Sequence, residues 1–146
     1  MREELHKKLL VDFPWIFRNI DTNNNYLEMC WSFSVGDGWY DIIRNICEEL
    51  TAIHKETGVQ FIATQVKEKF GTLRFYTMDD NVLLPYKDST KMNAVSRGHH
   101  IISEGENRSN TICEWCGNDG NAQSSLWIKT LCDPCQKIRL KKGNIT

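Results

Sequence analysis

The stretch VQFIATQVKEKFGTLRFYTM, residues 59–78, decides the fold. Apolar and polar residues alternate along it, the period of a strand half-buried in a sheet. Its centre, KFGT, carries a glycine where a tight turn needs positive φ. With Phe70 and Gly71 at the turn, residue 68 faces 73, 66 faces 75 and 64 faces 77. Neighbours in a strand point to opposite sides. One face then carries Ile62, Val66, Leu73 and Phe75, and the other Gln65, Lys67, Lys69, Arg74 and Tyr76. Spacing alone predicts an antiparallel hairpin with one apolar and one basic face.

Before the hairpin, residues 38–57 change to a helical period. Trp39, Ile42, Ile43, Ile46, Leu50 and Ile53 recur at steps of three or four and form one apolar stripe. Asp37 is placed to cap the start and Gly58 the end. After the hairpin, 79–87 reads as a loop, and Met92, Val95, His99 and Ile102 restore a helical spacing over 88–107. Gly98 and Gly105 weaken that helix by roughly 1 kcal/mol each relative to alanine. At the other end, Leu5, Leu9 and Phe13 predict a short helix over 3–11, stopped by Pro14. NIDTNNNYLE (19–28) reads as a turn and LEMCWSFSV (27–35) as a strand.

The remaining segment, CEWCGNDGNAQSSLWIKTLCDPC (113–135), holds four of the six cysteines. Cys113 and Cys116, then Cys132 and Cys135, form two C-x2-C pairs separated by 15 residues, a zinc pattern. Four thiolates complete a tetrahedron, whereas a catalytic zinc keeps one position open, so the spacing points to structural Zn²⁺. A segment of about 30 residues buries too little surface to fold unaided, and bound metal supplies the difference. WIKTL leads as a strand into Cys132, and Asp133-Pro134 reads as a helix start. A turn-borne pair, a hairpin and a helix-borne pair describe a treble clef; a second turn in place of the helix would make a zinc ribbon. Trp115 and Trp127 read as cover for the metal, and Lys129, Lys137 and Arg139 as charges offsetting its thiolates. Cys30 and Cys47 stand in apolar surroundings and read as small buried hydrophobes.

The fold class is α+β: a small antiparallel sheet at 59–78 packed by helices, with a treble-clef or zinc-ribbon finger. A core unit over 1–108 and a finger over 109–146 are the expected divisions. The 146 residues carry a net charge of −1, which argues against general coating of nucleic acid but leaves room for a local basic patch. No apolar run reaches the roughly 20 residues a membrane span needs, and reduced cysteines fit the cytoplasm.

Among candidate contacts, Lys67, Lys69 and Arg74 around Tyr76 have the composition to hold a phosphate or a stacked base. The G-x-G of GDGWYD precedes a helix start, so Asp37 and Trp39 join that candidate surface. A second candidate, for nucleic acid, is the basic tail Lys137, Arg139, Lys141 and Lys142. His99 and His100, adjacent on a helix, point about 100° apart and make a poor chelating pair; one buried and one surface histidine is the plainer reading.

FPWIF (13–17), VGDGWYDII (35–43), VKEKFGTLRFY (66–76), CEWCG (113–117) and WIKTLCDPC (127–135) together resemble a family of small phage and prophage proteins. Many members of that family place His where Cys135 stands; either residue completes a zinc site. The resemblance implies a phage or prophage origin and no defined activity. The resulting expectation is a non-enzymatic, zinc-stabilised protein that binds a host protein or a phosphate-bearing ligand, with the blunting of host defence as one role.

Overall fold

The computed structural model describes residues 1–17, 33–79, 89–124 and 127–143. The order is α1 (Glu3–Asp12), a 3₁₀ turn (Asp37–Trp39), α2 (Tyr40–Thr57), β1 (Phe61–Lys69), β2 (Thr72–Asp79), α3 (Ser89–Arg108), β3 (Asn121–Gln123), β4 (Lys129–Leu131) and α4 (Asp133–Gly143). The α+β class read from the sequence is the one observed. The turn at 19–28, Cys30, most of the strand at 27–35 and all but the first residue of the loop at 79–87 lie outside the described residues.

The stripe on α2 is buried as its spacing requires, from Trp39 through Ile42, Ile43, Ile46 and Leu50 to Ile53. Gly58 ends the helix at φ 76°, donating its N–H to the His54 carbonyl. The start differs from expectation. Asp37 makes no cap bond; its carboxylate takes the Arg2 backbone N–H at 2.6 Å and pairs with the Arg2 guanidinium.

On α3 the buried positions are Ala94, Val95, Gly98, Ile102 and Gly105, while Met92 is exposed. The two glycines read as weaknesses are the points of closest packing. A Cβ on Gly98 would lie 2.1 Å from the Phe61 ring, and one on Gly105 would lie 2.5 Å from Ile46. Propensity lost along the helix is exchanged for close approach to β1 and α2.

The hairpin turns at Phe70-Gly71, with Val66 opposite Phe75 and Glu68 opposite Leu73 as the spacing predicts. A bulge at Thr64 then shifts the register, so that Thr77 faces Ala63 rather than residue 64. The shift brings Phe61 and Ala63, with Val66, into the central core; Ile62 is buried but outside that cluster. Period-two counting cannot see one extra residue.

Two strands alone are marginal, and both edges here gain further hydrogen bonds. Along β2, the Leu73 N–H donates to Ser109 Oγ and the Phe75 N–H to Glu106 Oε1, each at 2.8 Å. Along β1, the Glu68 N–H reaches the Ser34 carbonyl at 3.0 Å and the Ala63 N–H the Ile16 carbonyl at 2.8 Å.

Phe70 sits at φ 54°, a left-handed conformation disfavoured for a bulky side chain, and its ring is 64% exposed. Phe70→Asn should therefore stabilise the protein by about 1 kcal/mol, since asparagine suits the first position of this turn. An unchanged or lower urea midpoint would contradict that reading of the turn.

Candidate metal centre and basic hairpin face

Cys113 and Cys116 sit on a tight turn in which the Gly117 N–H returns to the Cys113 carbonyl at 2.9 Å. The β3–β4 hairpin follows, then Cys132 and Cys135 at the first turn of α4. Turn, hairpin and helix N-terminus in that order make the treble-clef arrangement, not the ribbon. The four Sγ atoms all lie within 4.8 Å of one another, and Cys116 and Cys132 are 3.6 Å apart. A tetrahedron with metal–sulfur bonds of about 2.3 Å has edges of about 3.8 Å, so the set can hold a metal ion. Leu131 and Trp115 pack against the sulfurs.

The four thiols are not equivalent. Burial alone would raise Cys113, but backbone N–H groups of Cys132, Cys116 and Trp115 bring it down to about 7. Cys135 is pushed well above the ordinary thiol value, by burial first and then by the other three sulfurs. One thiolate is favoured and further ones repel it. A divalent cation removes that conflict, since coordination deprotonates the thiols outright.

The stretches singled out by the sequence converge on the seam between this finger and the core. The Gly38 N–H donates to the Glu114 carbonyl at 2.8 Å, and the Trp39 indole N–H donates to the Ile112 carbonyl at 2.8 Å. A Cβ on Gly38 would stand 2.1 Å from the Cys113 carbonyl oxygen and 2.4 Å from the Gly117 nitrogen. GDGW is thus the seat on which the cysteine turn rests. Trp39 is 0% exposed and Asp37 is paired with Arg2, so the expectation that they face a partner is corrected: Trp39 holds the seam, and Asp37 ties the start of α1 to the 3₁₀ turn.

A second tie was not foreseen. The Lys129 ammonium lies 2.9 Å from Glu68 and 2.8 Å from Glu114, with both carboxylates almost fully buried. Glu114 also accepts the Gly36 N–H at 3.2 Å, and its own N–H donates to the Thr130 carbonyl at 2.9 Å. Thr130 Oγ1 donates to the Gly71 carbonyl at 2.7 Å. Lys129 is therefore spent on the two glutamates rather than on the sulfurs. The available signal was Glu68, an acid at an even position on the apolar face of β1. Trp127, read as cover for the metal, is 64% exposed instead.

The expected basic cluster is brought together. Lys67 stands directly across from Arg74, and Gln65 from Tyr76. The Lys67 ammonium lies 5.7 Å from the centre of the Tyr76 ring, and that of Lys69 5.4 Å from the centre of the Phe70 ring. Arg74 is 3.9 Å from Glu106, whereas among the described residues neither Lys67 nor Lys69 is paired with a carboxylate. On α4, Lys137, Lys141 and Lys142 are exposed, while Arg139 donates to the Trp127 carbonyl at 2.6 Å. His99 and His100 are both exposed, contrary to the expected division, and His100 lies 3.5 Å from Glu104. Cys47 is buried, and burial raises its thiol well above the ordinary value; it is the inert cysteine its surroundings predicted. No helix among the described residues is long and apolar enough to cross a membrane.

Comparison of the chain with protein-family models, curated proteins and solved structures finds no match.

Three outcomes follow from the seam. Gly38→Ala should cost about 3 kcal/mol or more in urea unfolding, because backbone on the facing turn must move. Lys129→Met should cost about 3–5 kcal/mol at neutral pH by stranding two buried carboxylates. Burial acts to raise Glu68, but the Gly71 N–H, Lys129 and Trp127 outweigh it and hold the carboxyl below its usual range. Its stabilisation is thus full above about pH 4.3 and lost as pH falls through the folded value. Urea unfolding from pH 7 downward should show a shallower acid loss in Glu68→Gln than in the wild type; equal slopes would contradict the assignment.

Proposed function

We propose that the chain is a zinc-stabilised binding protein without catalytic activity of its own, and that the outer face of the β1–β2 hairpin engages a phosphate-bearing ligand. Zinc is the favoured ion because four thiolates at tetrahedral spacing suit it and leave no open coordination position for substrate. The observation that carries the binding role is the row of Lys67, Lys69 and Arg74 beside Tyr76, on the side away from the core, with both lysines lying over rings. The finger, on this reading, is scaffold: it braces the hairpin tip through Thr130 and Lys129. The phage or prophage origin implied by the motif resemblance makes a host component the source of the ligand. Interference with host defence is one such role.

A second reading assigns nucleic-acid binding to α4. Lys137, Lys141 and Lys142 support it, but Arg139 is turned back onto the finger, which leaves three spaced cations rather than four.

Native mass spectrometry should show one zinc per chain. The triple change Lys67→Glu, Lys69→Glu and Arg74→Glu should abolish retention on phosphocellulose with the zinc and the thermal transition preserved. Retention that survives this change and disappears on replacing Lys137, Lys141 and Lys142 would transfer the role to α4.

A further inference from the structure

The hairpin face carries two local choices that cost the sheet. Lys67 and Arg74 occupy directly opposed positions, where like charges repel, and Glu106, 3.9 Å from Arg74, offsets only one of the two. Phe70 occupies a left-handed turn position that asparagine or glycine fills more easily, and its ring is exposed rather than packed. Both costs fall within one hairpin end, where a broken local rule points to function. Tyr76 is also exposed, at 42%. Between the two rings lie Lys67, Lys69 and Arg74, and the two lysines sit over the rings at 5.7 and 5.4 Å. The finger supports the tip from the other side: Thr130 holds the Gly71 carbonyl, and Ile128 abuts Gly71.

We propose that this face is a stacking platform for single-stranded nucleic acid, with Phe70 and Tyr76 taking base faces and Lys67, Lys69 and Arg74 the phosphates between them. The inference rests on the phosphate-binding reading of the same face and names its ligand. A polyanion relieves the Lys67–Arg74 repulsion. A base stacked on Phe70 covers a residue that is 64% exposed, at an affinity gain that is sequence-tolerant because every base has a π-face. A phosphorylated peptide or free phosphate would use the cations and leave both rings idle. A duplex keeps its base faces stacked internally and offers them nothing.

The test uses the full chain with its metal and four probes: fluorescein-labelled oligothymidylate and oligouridylate, the duplex of the same length, and inorganic polyphosphate. At least one single strand should bind more tightly than duplex and polyphosphate. Its affinity should fall with salt at a log–log slope of about −2, as three phosphate contacts require. Phe70→Asn, a change that suits the turn, should weaken single-strand binding about tenfold or more and leave polyphosphate binding unchanged. Lys67→Gln with Arg74→Gln should weaken both. If single strands and polyphosphate bind alike and Phe70→Asn alters neither, stacking is refuted and the phosphate face stands. If neither binds, the phosphate reading fails with it. Single-strand binding that survives all three substitutions would place the site elsewhere and overturn the proposal.

Discussion

The close seating of the cysteine turn on Gly36–Trp39 is the constraint on which the rest of the structure depends. No side chain intervenes: the Gly38 N–H meets the Glu114 carbonyl, and any Cβ at Gly38 would collide with the backbone of Cys113 and Gly117. The start of α2 and the first half of the metal centre therefore share a wall. Trp39 extends the wall inward, with its ring in the central core and its N–H on Ile112. A four-sulfur cluster that fixes the turn thereby fixes where α2 begins, and α2 carries the stripe against which the sheet and α3 pack.

Lys129 closes the same seam from the other end. A buried ion pair is poor evidence for net stability, because desolvation offsets attraction, but removing one member strands the others. Here one ammonium joins an acid of β1 to an acid of the cysteine turn, so hairpin, turn and β4 hold one another in register. The device favours specificity of docking over raw stability. It also divides the hairpin. Its inner side, through Glu68 and Gly71, is committed to the finger, and its outer side leaves Lys69, Phe70 and Tyr76 exposed, with Lys67 and Arg74 half-buried beside them.

Much of this was legible in the sequence because the signals were periodic or stoichiometric. Six apolar residues at helical steps defined α2, alternation around Phe70-Gly71 defined the hairpin, and two C-x2-C pairs defined the metal cluster. The errors fall where a residue's role is set by what arrives from elsewhere in the chain. Gly98 and Gly105 read as flaws by propensity and serve as contacts. Asp37 and Trp39 read as a ligand surface because a glycine-flanked helix start looks open until another backbone fills it. Lys129 read as a counter-charge to sulfur because its true partners lie 61 and 15 residues away in sequence. Thr64 shifts the register by one residue, which no period announces.

Amide hydrogen exchange at Gly38, measured in the zinc-loaded protein and after chelation, tests the central claim most directly. If the metal staples the cysteine turn to its seat, the Gly38 N–H exchanges slowly in the loaded protein and loses its protection when the metal is withdrawn. The amides of Glu114 and Gly117 should lose theirs with it. Unchanged protection at all three amides in verified metal-free protein would show that the seam closes without the ion, and would contradict the account.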